Sequence, residues 1–236
     1  MKILALDSTA VTASVALCED ETLVAEYTLA AGLTHSETLL PMVESVLKLT
    51  GLSTKDIDLF ACAEGPGSFT GVRIGAATVK GLAFDMDKPC IGVSTLEALA
   101  YNLAGYEGIA CPVMNARRSQ VYNALFKVNN KSVTRLCEDR AIAICDLEDE
   151  LAEVAEPIFL SGDGYDITKK GFARVATMET PEPQRIGSGY SVAMLALAKY
   201  RDGVRTSDAE LAPTYLRPCQ AERERMAKEK MENFEL

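Results

Sequence analysis

Residues 59 to 84, LFACAEGPGSFTGVRIGAATVKGLAF, constrain this chain more than any other stretch. Leu59 to Ala63 is an apolar run of strand length, and Glu64-Gly65-Pro66-Gly67 is a turn that neither strand nor helix continues through. Ser68 stands where an N-cap belongs, its hydroxyl placed to accept a free N–H of the first turn. After it, Phe69, Val72, Ile74, Ala76, Ala77, Val79, Leu82 and Ala83 make a helix apolar over much of its circumference. Gly71 and Gly75 lie four apart on one face. Each costs a helix about 1 kcal/mol relative to alanine, so two on one stripe predict a close approach to the backbone there.

Three readings compete for this stretch. A strand, a glycine loop and a helix N-terminus form a ready anion site, with Gly65, Gly67 and Ser68 facing the phosphate. The spacing opposes it: Gly65, Gly67 and Gly71 make GxGxxxG, one residue too long for the dinucleotide fingerprint, and no Gly-Lys-Ser/Thr follows. Helix-on-sheet packing explains the hydrophobics and leaves the glycine stripe unexplained. A helix–helix contact with another subunit explains both.

The chain has 236 residues, enough for one large or two small domains. No run approaches the ~18 apolar residues of a membrane span, and Asp7 comes too early for a signal-peptide core, so a cytoplasmic protein is expected. Seven cysteines (Cys18, Cys62, Cys90, Cys111, Cys137, Cys145, Cys219) include no CxxC pair and sit mostly among apolar neighbours. Neither disulfides nor a zinc site is expected from them. A net charge of −10 opposes stand-alone nucleic-acid binding, so any RNA contact needs a partner's positive surface.

In chain order, Lys2 to Asp7 reads as a buried strand ending in the polar turn Ser8-Thr9-Ala10. Val11 to Leu17 and Leu23 to Leu29 complete a meander. A helix opens at Thr34 or His35 and runs through Leu49, with Leu39, Leu40, Val43, Val46 and Leu47 at helical spacing. Pro41 is expected to shorten or kink its start, and Gly51 to close it. A strand at Cys90 to Val93 and a helix at Thr95 to Leu103 follow the central stretch. Gly105-Tyr106-Glu107-Gly108 is the expected boundary between halves 1–106 and 107–236.

The order then repeats. Ile109 to Met114 is a strand ending in Asn115-Ala116-Arg117-Arg118, and Gln120 to Lys127 and Ser132 to Leu136 are two more strands. A helix at Asp146 to Val154, a strand at Pro157 to Leu160, a weaker helix and strand over 165–176 and a helix at Ser188 to Tyr200 complete it. Meander, then alternating helix and strand, twice over, predicts an internally duplicated α/β fold with mixed sheets flanked by helices. The facing turns, Asp7-Ser8-Thr9 and Asn115 to Arg118, predict a cleft. The last residues, CQAERERMAKEKMENFEL, read as a solvated helix or frayed tail.

GPGSFTGVRIG, together with ILALDST, NARRSQVY and PTYLR, resembles the bacterial TsaB (YeaZ) family in register along nearly the whole chain. The resemblance implies the duplicated actin-like fold of sugar kinases and heat-shock chaperones. It implies a part in making threonylcarbamoyladenosine in transfer RNA, as a non-catalytic scaffold for its paralogue TsaD. The ATPase TsaE joins the assembly, and tRNA is met only through the complex. TsaD carries the metal and performs the transfer. Contact with TsaD would run through the first two helices: His35, Leu39, Leu40, Val43, Val46 and Leu47 on one, Phe69, Gly71, Val72, Arg73, Gly75, Ala76 and Val79 on the other. Alone, the chain would use that surface to form a homodimer, and Gly75→Leu is expected to block both contacts while leaving the monomer folded.

The residues support a non-catalytic reading. Two histidines at i and i+4 would present a metal on one helix face, but His35 is the only histidine and the position four later is Leu39. No metal and no catalytic residue are expected, and the peptidase label attached to relatives of this family fails for want of a zinc site. An actin-like kinase or ATPase is the rival, because Asp7, Ser8 and Thr9 occupy the phosphate-facing turn of this fold class. Asn115 stands where the family more usually has an aspartate, which removes a carboxylate for magnesium. No cofactor is expected beyond weak nucleotide binding at that turn. Arg117 and Arg118 suit either a phosphate or a surface salt bridge.

Overall fold

Strands β1 (Lys2–Asp7) and β2 (Ala13–Glu19) are apolar at nearly every position, the pattern of strands covered on both faces. The computed structural model, which describes residues 1–130 and 132–217, covers them so. β1 and β2 pair antiparallel from Lys2↔Glu19 to Asp7↔Ser14, and β3 (Thr22–Leu29) takes the mostly exposed edge. α1 (His35–Thr50) then crosses to β4 (Leu59–Gly65), parallel to β1 with Ile3 opposite Leu59. α2 (Phe69–Ala83) crosses to β5 (Cys90–Ser94), parallel to β4, and gives the order β3-β2-β1-β4-β5. Pro41 lies inside α1 without ending it, and Gly51 closes the helix in the left-handed conformation at φ 70°.

α3 (Thr95–Tyr101) leads into β6 (Gly108–Asn115), where the pattern starts again. β7 (Gln120–Asn123) and β8 (Phe126–Asn129) pair with β6 in one continuous antiparallel register, from Asn115↔Val121 to Gly108↔Val128. They are one strand interrupted at Ala124 and Leu125. The next strand is also divided, with a two-residue slip in register, into β9 (Ser132–Arg135), as expected, and β10 (Arg140–Ala143), which sequence reading misses. RAIA runs straight into α4 (Ile144–Leu151), and a four-residue strand merged with a helix start has no period of its own. β11 (Ile158–Ser161) lies parallel to β6, α5 (Tyr165–Gly171) follows, Met178 bridges parallel to Phe159 as β5 pairs with β4, and the one-turn α6 (Glu182–Arg185) comes next. The duplication is therefore visible as hydrogen-bond topology.

The two halves exchange a helix. α1 and α2 cover one face of the first sheet, packing Leu39, Val43, Val46 and Val79 on Leu4, Leu6, Val15 and Phe60. The other face is covered by α7 (Gly189–Arg201), which comes from the end of the second half and places Val192, Ala193 and Ala196 on Ile3, Ala5 and Ala61. α3 lies reciprocally on the second sheet, Leu96 and Leu99 meeting Ala110, Met114 and Phe126. A fully buried Phe60 or Phe126 is worth about 1.5–3 kcal/mol.

This packing corrects the partner surface expected from the sequence. Leu39, Val43, Val46, Leu47, Gly71, Val72, Gly75, Ala76 and Val79 are all buried in the chain's own core. Each helix has one strong apolar stripe, and its own sheet occupies it. Of the expected set, Leu40 (47% exposed) and Arg73 face solvent, while His35 and Phe69 are half-buried.

All six cysteines among the described residues are free thiols, and burial pushes Cys18 and Cys111 up to about 12, which makes them inert. The expected charged tail, with Cys219, lies outside the described residues.

Glu148 on α4 is buried, and its carboxylate accepts the backbone N–H groups of Arg174, Val175 and Ala173. Those bonds, Arg174's foremost, hold its carboxyl below the ordinary range. A depressed folded pKa adds stability that is present above the unfolded value near ~4.3 and lost as pH falls through the folded one. Glu148→Gln should therefore lower the urea midpoint at neutral pH and flatten its decline below about pH 4.3, read from urea melts across pH.

Candidate functional site

β1 delivers Asp7, Ser8 and Thr9 to the C-terminal edge of the first sheet, where the glycines of α2 meet them. A Cβ on Gly67 would lie 2.5 Å from the Thr9 carbonyl oxygen, one on Gly75 2.7 Å from Ser8 Oγ, and one on Gly71 inside the contact radius of the Ser8 carbonyl oxygen. Ser68 N–H donates to Thr9 O at 2.7 Å, and Ser8 Oγ–H to Gly71 O at 2.9 Å. Ser68 Oγ also caps α2 by accepting from Gly71 N, the role read from its position. The glycine stripe thus exists to seat α2 on the chain's own first turn. The subunit contact expected there is corrected, and so is Gly75→Leu, which would force a side chain into this packing and disturb the monomer itself.

Ser8 is buried and committed to α2, so it does not face a phosphate. Gly65 is buried too, at φ 116° against the Thr214 backbone. Asp7 Oδ1 accepts from Thr9 N at 2.9 Å and Thr9 Oγ1 at 2.7 Å, whereas Oδ2 has no hydrogen-bond partner among the described residues and sits where a Cβ on Gly187 would fall. Burial pushes the Asp7 carboxyl above its usual range. His35 Nε2–H donates to the Ala10 carbonyl at 2.7 Å, tying the start of α1 to this turn.

Across the cleft the turn after β6 is unusual. Arg117, Arg118 and Ser119 are consecutive left-handed residues at φ 66°, 55° and 56°. Asn115 Oδ1 accepts from Arg117 N at 2.9 Å, and Asn115 N donates to Asp163 Oδ1 at 2.8 Å. An aspartate at 115 would accept the same N–H, so asparagine here changes charge and leaves the turn's hydrogen bonding intact.

The turns bound two separate spaces. A cavity of about 220 Å³ is lined by Asp7, Thr9, Thr95, Asp163, Asp166 and Glu182 among others, with Arg185 as its cation. Arg185 is itself engaged by Glu179 and by the face of Tyr165. Beside the cavity lies a groove of about 690 Å³ whose walls include Gly67, Ser68, Arg117, Tyr122, Tyr215 and Arg217. The sequence-predicted phosphate set is therefore divided: Asp7 and Thr9 line the cavity, Gly67 and Ser68 the groove, Ser8 and Gly65 neither.

Sequence reading missed Asp163, Gly187, Tyr215 and Arg217. The last two belong to a segment without periodicity that straps the halves together. Leu211 enters the first core, Thr214 N donates to Glu64 O at 2.7 Å, and Arg217 Nη2 donates to Gln120 Oε1 at 2.5 Å. Tyr215 stacks on Phe69 with ring centroids 5.0 Å apart and accepts from Arg73 Nε at 2.7 Å. PTYLR marks this segment in the sequence, but nothing there shows what it touches.

Residues 29–223 match the sequence model of the family described as TsaD: tRNA N6-adenosine threonylcarbamoyltransferase. The tRNA threonylcarbamoyladenosine biosynthesis protein TsaB of Bacillus subtilis (strain 168) is 32% identical over 231 residues, which are 94% of this chain and 96% of that protein. YeaZ from Pseudomonas aeruginosa superposes with a TM-score of 0.75 at 25% identity, over 91% of this chain and 99% of its own. The ethanolamine utilization protein EutJ from Carboxydothermus hydrogenoformans, at TM-score 0.53 and 11% identity over 82% of this chain and 90% of its own, shares the fold alone. The duplicated actin-like architecture expected from the sequence is the architecture found.

Proposed function

The chain belongs to the TsaB family, and from that premise we propose that it serves tRNA threonylcarbamoyladenosine formation as the scaffold subunit of TsaD, leaving the transfer to that partner. The observation that carries the reading is the outward side of α1 and α2, which their own sheet leaves free. Leu40 on α1 and Ala77 and Gly81 on α2 are exposed there, and a Cβ on Gly81 would meet nothing within 4 Å among the described residues. An exposed apolar residue beside small ones lets another helix approach closely, and exposed Phe84 (72%) extends the surface. TsaE docks on the assembled pair. The chain's charge of −10 leaves tRNA contact to the complex as a whole.

The arrangement of His35 supports a non-catalytic role. Its Nε2–H is spent on a backbone carbonyl, and the chain has no second histidine to complete a helix-borne metal pair.

Light scattering coupled to gel filtration tests the proposal. Alone, the protein should run as a homodimer through the α1–α2 face; mixed with TsaD, it should move wholly into a heterodimer as that face is taken over. A homodimer that persists with TsaD bound defeats the shared-face reading. Calorimetry with ATP and magnesium separates the ATPase rival: turnover that disappears in Asp7→Ala would replace the scaffold reading.

A further inference from the structure

We propose that the groove between α2 and the turn after β6, and not the cavity at Asp7, is a ligand site, and that it takes a single nucleoside monophosphate. The inference rests on the groove's own chemistry and is independent of the scaffold role.

Size and charge together decide between the two spaces. Small-molecule sites occupy about 300–1,000 Å³, so the groove at about 690 Å³ admits a mononucleotide and the cavity at about 220 Å³ does not. The cavity sets Asp7, Asp163, Asp166 and Glu182 against one arginine already held by Glu179. An added phosphate would meet like charge there. The groove presents Arg117 and Arg217, and neither has a carboxylate within ion-pair distance among the described residues. In a chain of net charge −10, these two guanidinium groups give one concave wall a local positive charge. Guanidinium forks match phosphate oxygens, and the exposed Ser68 and Thr70 side chains on the facing wall add hydroxyl donors.

The aromatic content specifies the rest of the ligand. Tyr122 and Tyr215 stand in the groove walls, and aromatic side chains in such a wall suit a stacked base. Tyr215 is fixed by Phe69 and Arg73, and Arg217 lies 5.9 Å from the Tyr122 ring centroid, so the surface is assembled before a ligand arrives.

The turn that carries Arg117 is itself held in an unfavourable form. Three successive non-glycine residues in the left-handed region cost on the order of 1 kcal/mol each, and such strain concentrates at ligand sites. Asp163 also borders the groove, beside Arg117, and leaves a net charge suited to one phosphate and not to a polyphosphate or an RNA strand.

Isothermal titration of the full chain with AMP and with adenosine provides the test. AMP should bind one to one, and adenosine about tenfold more weakly, since a charge-assisted phosphate contact carries roughly that factor. Arg117→Gln and Arg217→Gln should each weaken AMP about tenfold and leave adenosine unchanged, and Arg117→Gln should leave the thermal melt in place. Arg217→Lys, which keeps the charge and loses the fork, should fall between wild type and Arg217→Gln. Four results overturn the proposal: no heat with millimolar AMP; equal affinity for AMP and adenosine; AMP binding that survives both arginine substitutions; or binding lost in Asp7→Asn with the arginine variants intact, which would return the site to the cavity. A short single-stranded RNA that binds more tightly than AMP would overturn the commitment to a single nucleotide.

Discussion

Gly71→Ala should destabilise this protein by about 3 kcal/mol or more, whereas Gly81→Ala, ten residues further along the same helix, should stabilise it by about 1 kcal/mol. Intrinsic helix propensity alone favours alanine equally at both positions. Their surroundings differ. At Gly71 the added methyl would fall within the contact radius of the Ser8 carbonyl oxygen, a backbone atom fixed between β1 and α2. A backbone atom cannot swing aside as a side chain does, so relief requires α2 to lift from the sheet. Lifting α2 would loosen Val72, Ala76 and Val79 from the core and pull Ser68 from Thr9. At Gly81 an added Cβ meets nothing within 4 Å among the described residues, so only the propensity gain remains. Urea melts of both variants check the pair. Equal effects at the two positions would show that the stripe does not seat α2 on the first turn.

That contrast also shows what the sequence could and could not disclose. Glycines four apart on an apolar helix predict a close neighbour, because their cost has to be offset by something, and a close neighbour is there. Its identity is a long-range contact between residues 8 and 71, and no local pattern encodes which surface comes near. The same division runs through the fold. Ser68, Gly51 and the meander of the first 29 residues are local chemistry and were legible. β10 was not, because four residues running into a helix start show no period. In the site, Asp7 was legible from its strand-ending position, but its neighbour Gly187 was not. Arg217 became legible as part of a motif, yet its reach across to Gln120 depends on a strap of irregular backbone. A helix stripe likewise reads as apolar without showing whether its own sheet or another chain covers it. Here the sheet covers the strong stripe, and the weaker outward one stays exposed.

The outward stripe yields the second large effect. Ala77→Arg should weaken binding to TsaD roughly hundredfold, about 2.7 kcal/mol, and abolish the homodimer at the same time. Ala77 is exposed and Gly81, one turn on, is bare, so a partner helix seated there would meet the guanidinium at the point of closest approach. A charge trapped in a close helix contact without a counter-ion has to be desolvated or force the helices apart. The monomer has no reason to suffer, since arginine is a good helix former and the position faces water. Titration of labelled variant with TsaD, beside its thermal melt, reads both quantities. Unaltered affinity in a folded Ala77→Arg protein would move the TsaD contact off this face. Loss of affinity in Leu40→Glu as well would place both helices in one interface, because Leu40 is the exposed apolar residue of α1 within the surface first expected from the sequence.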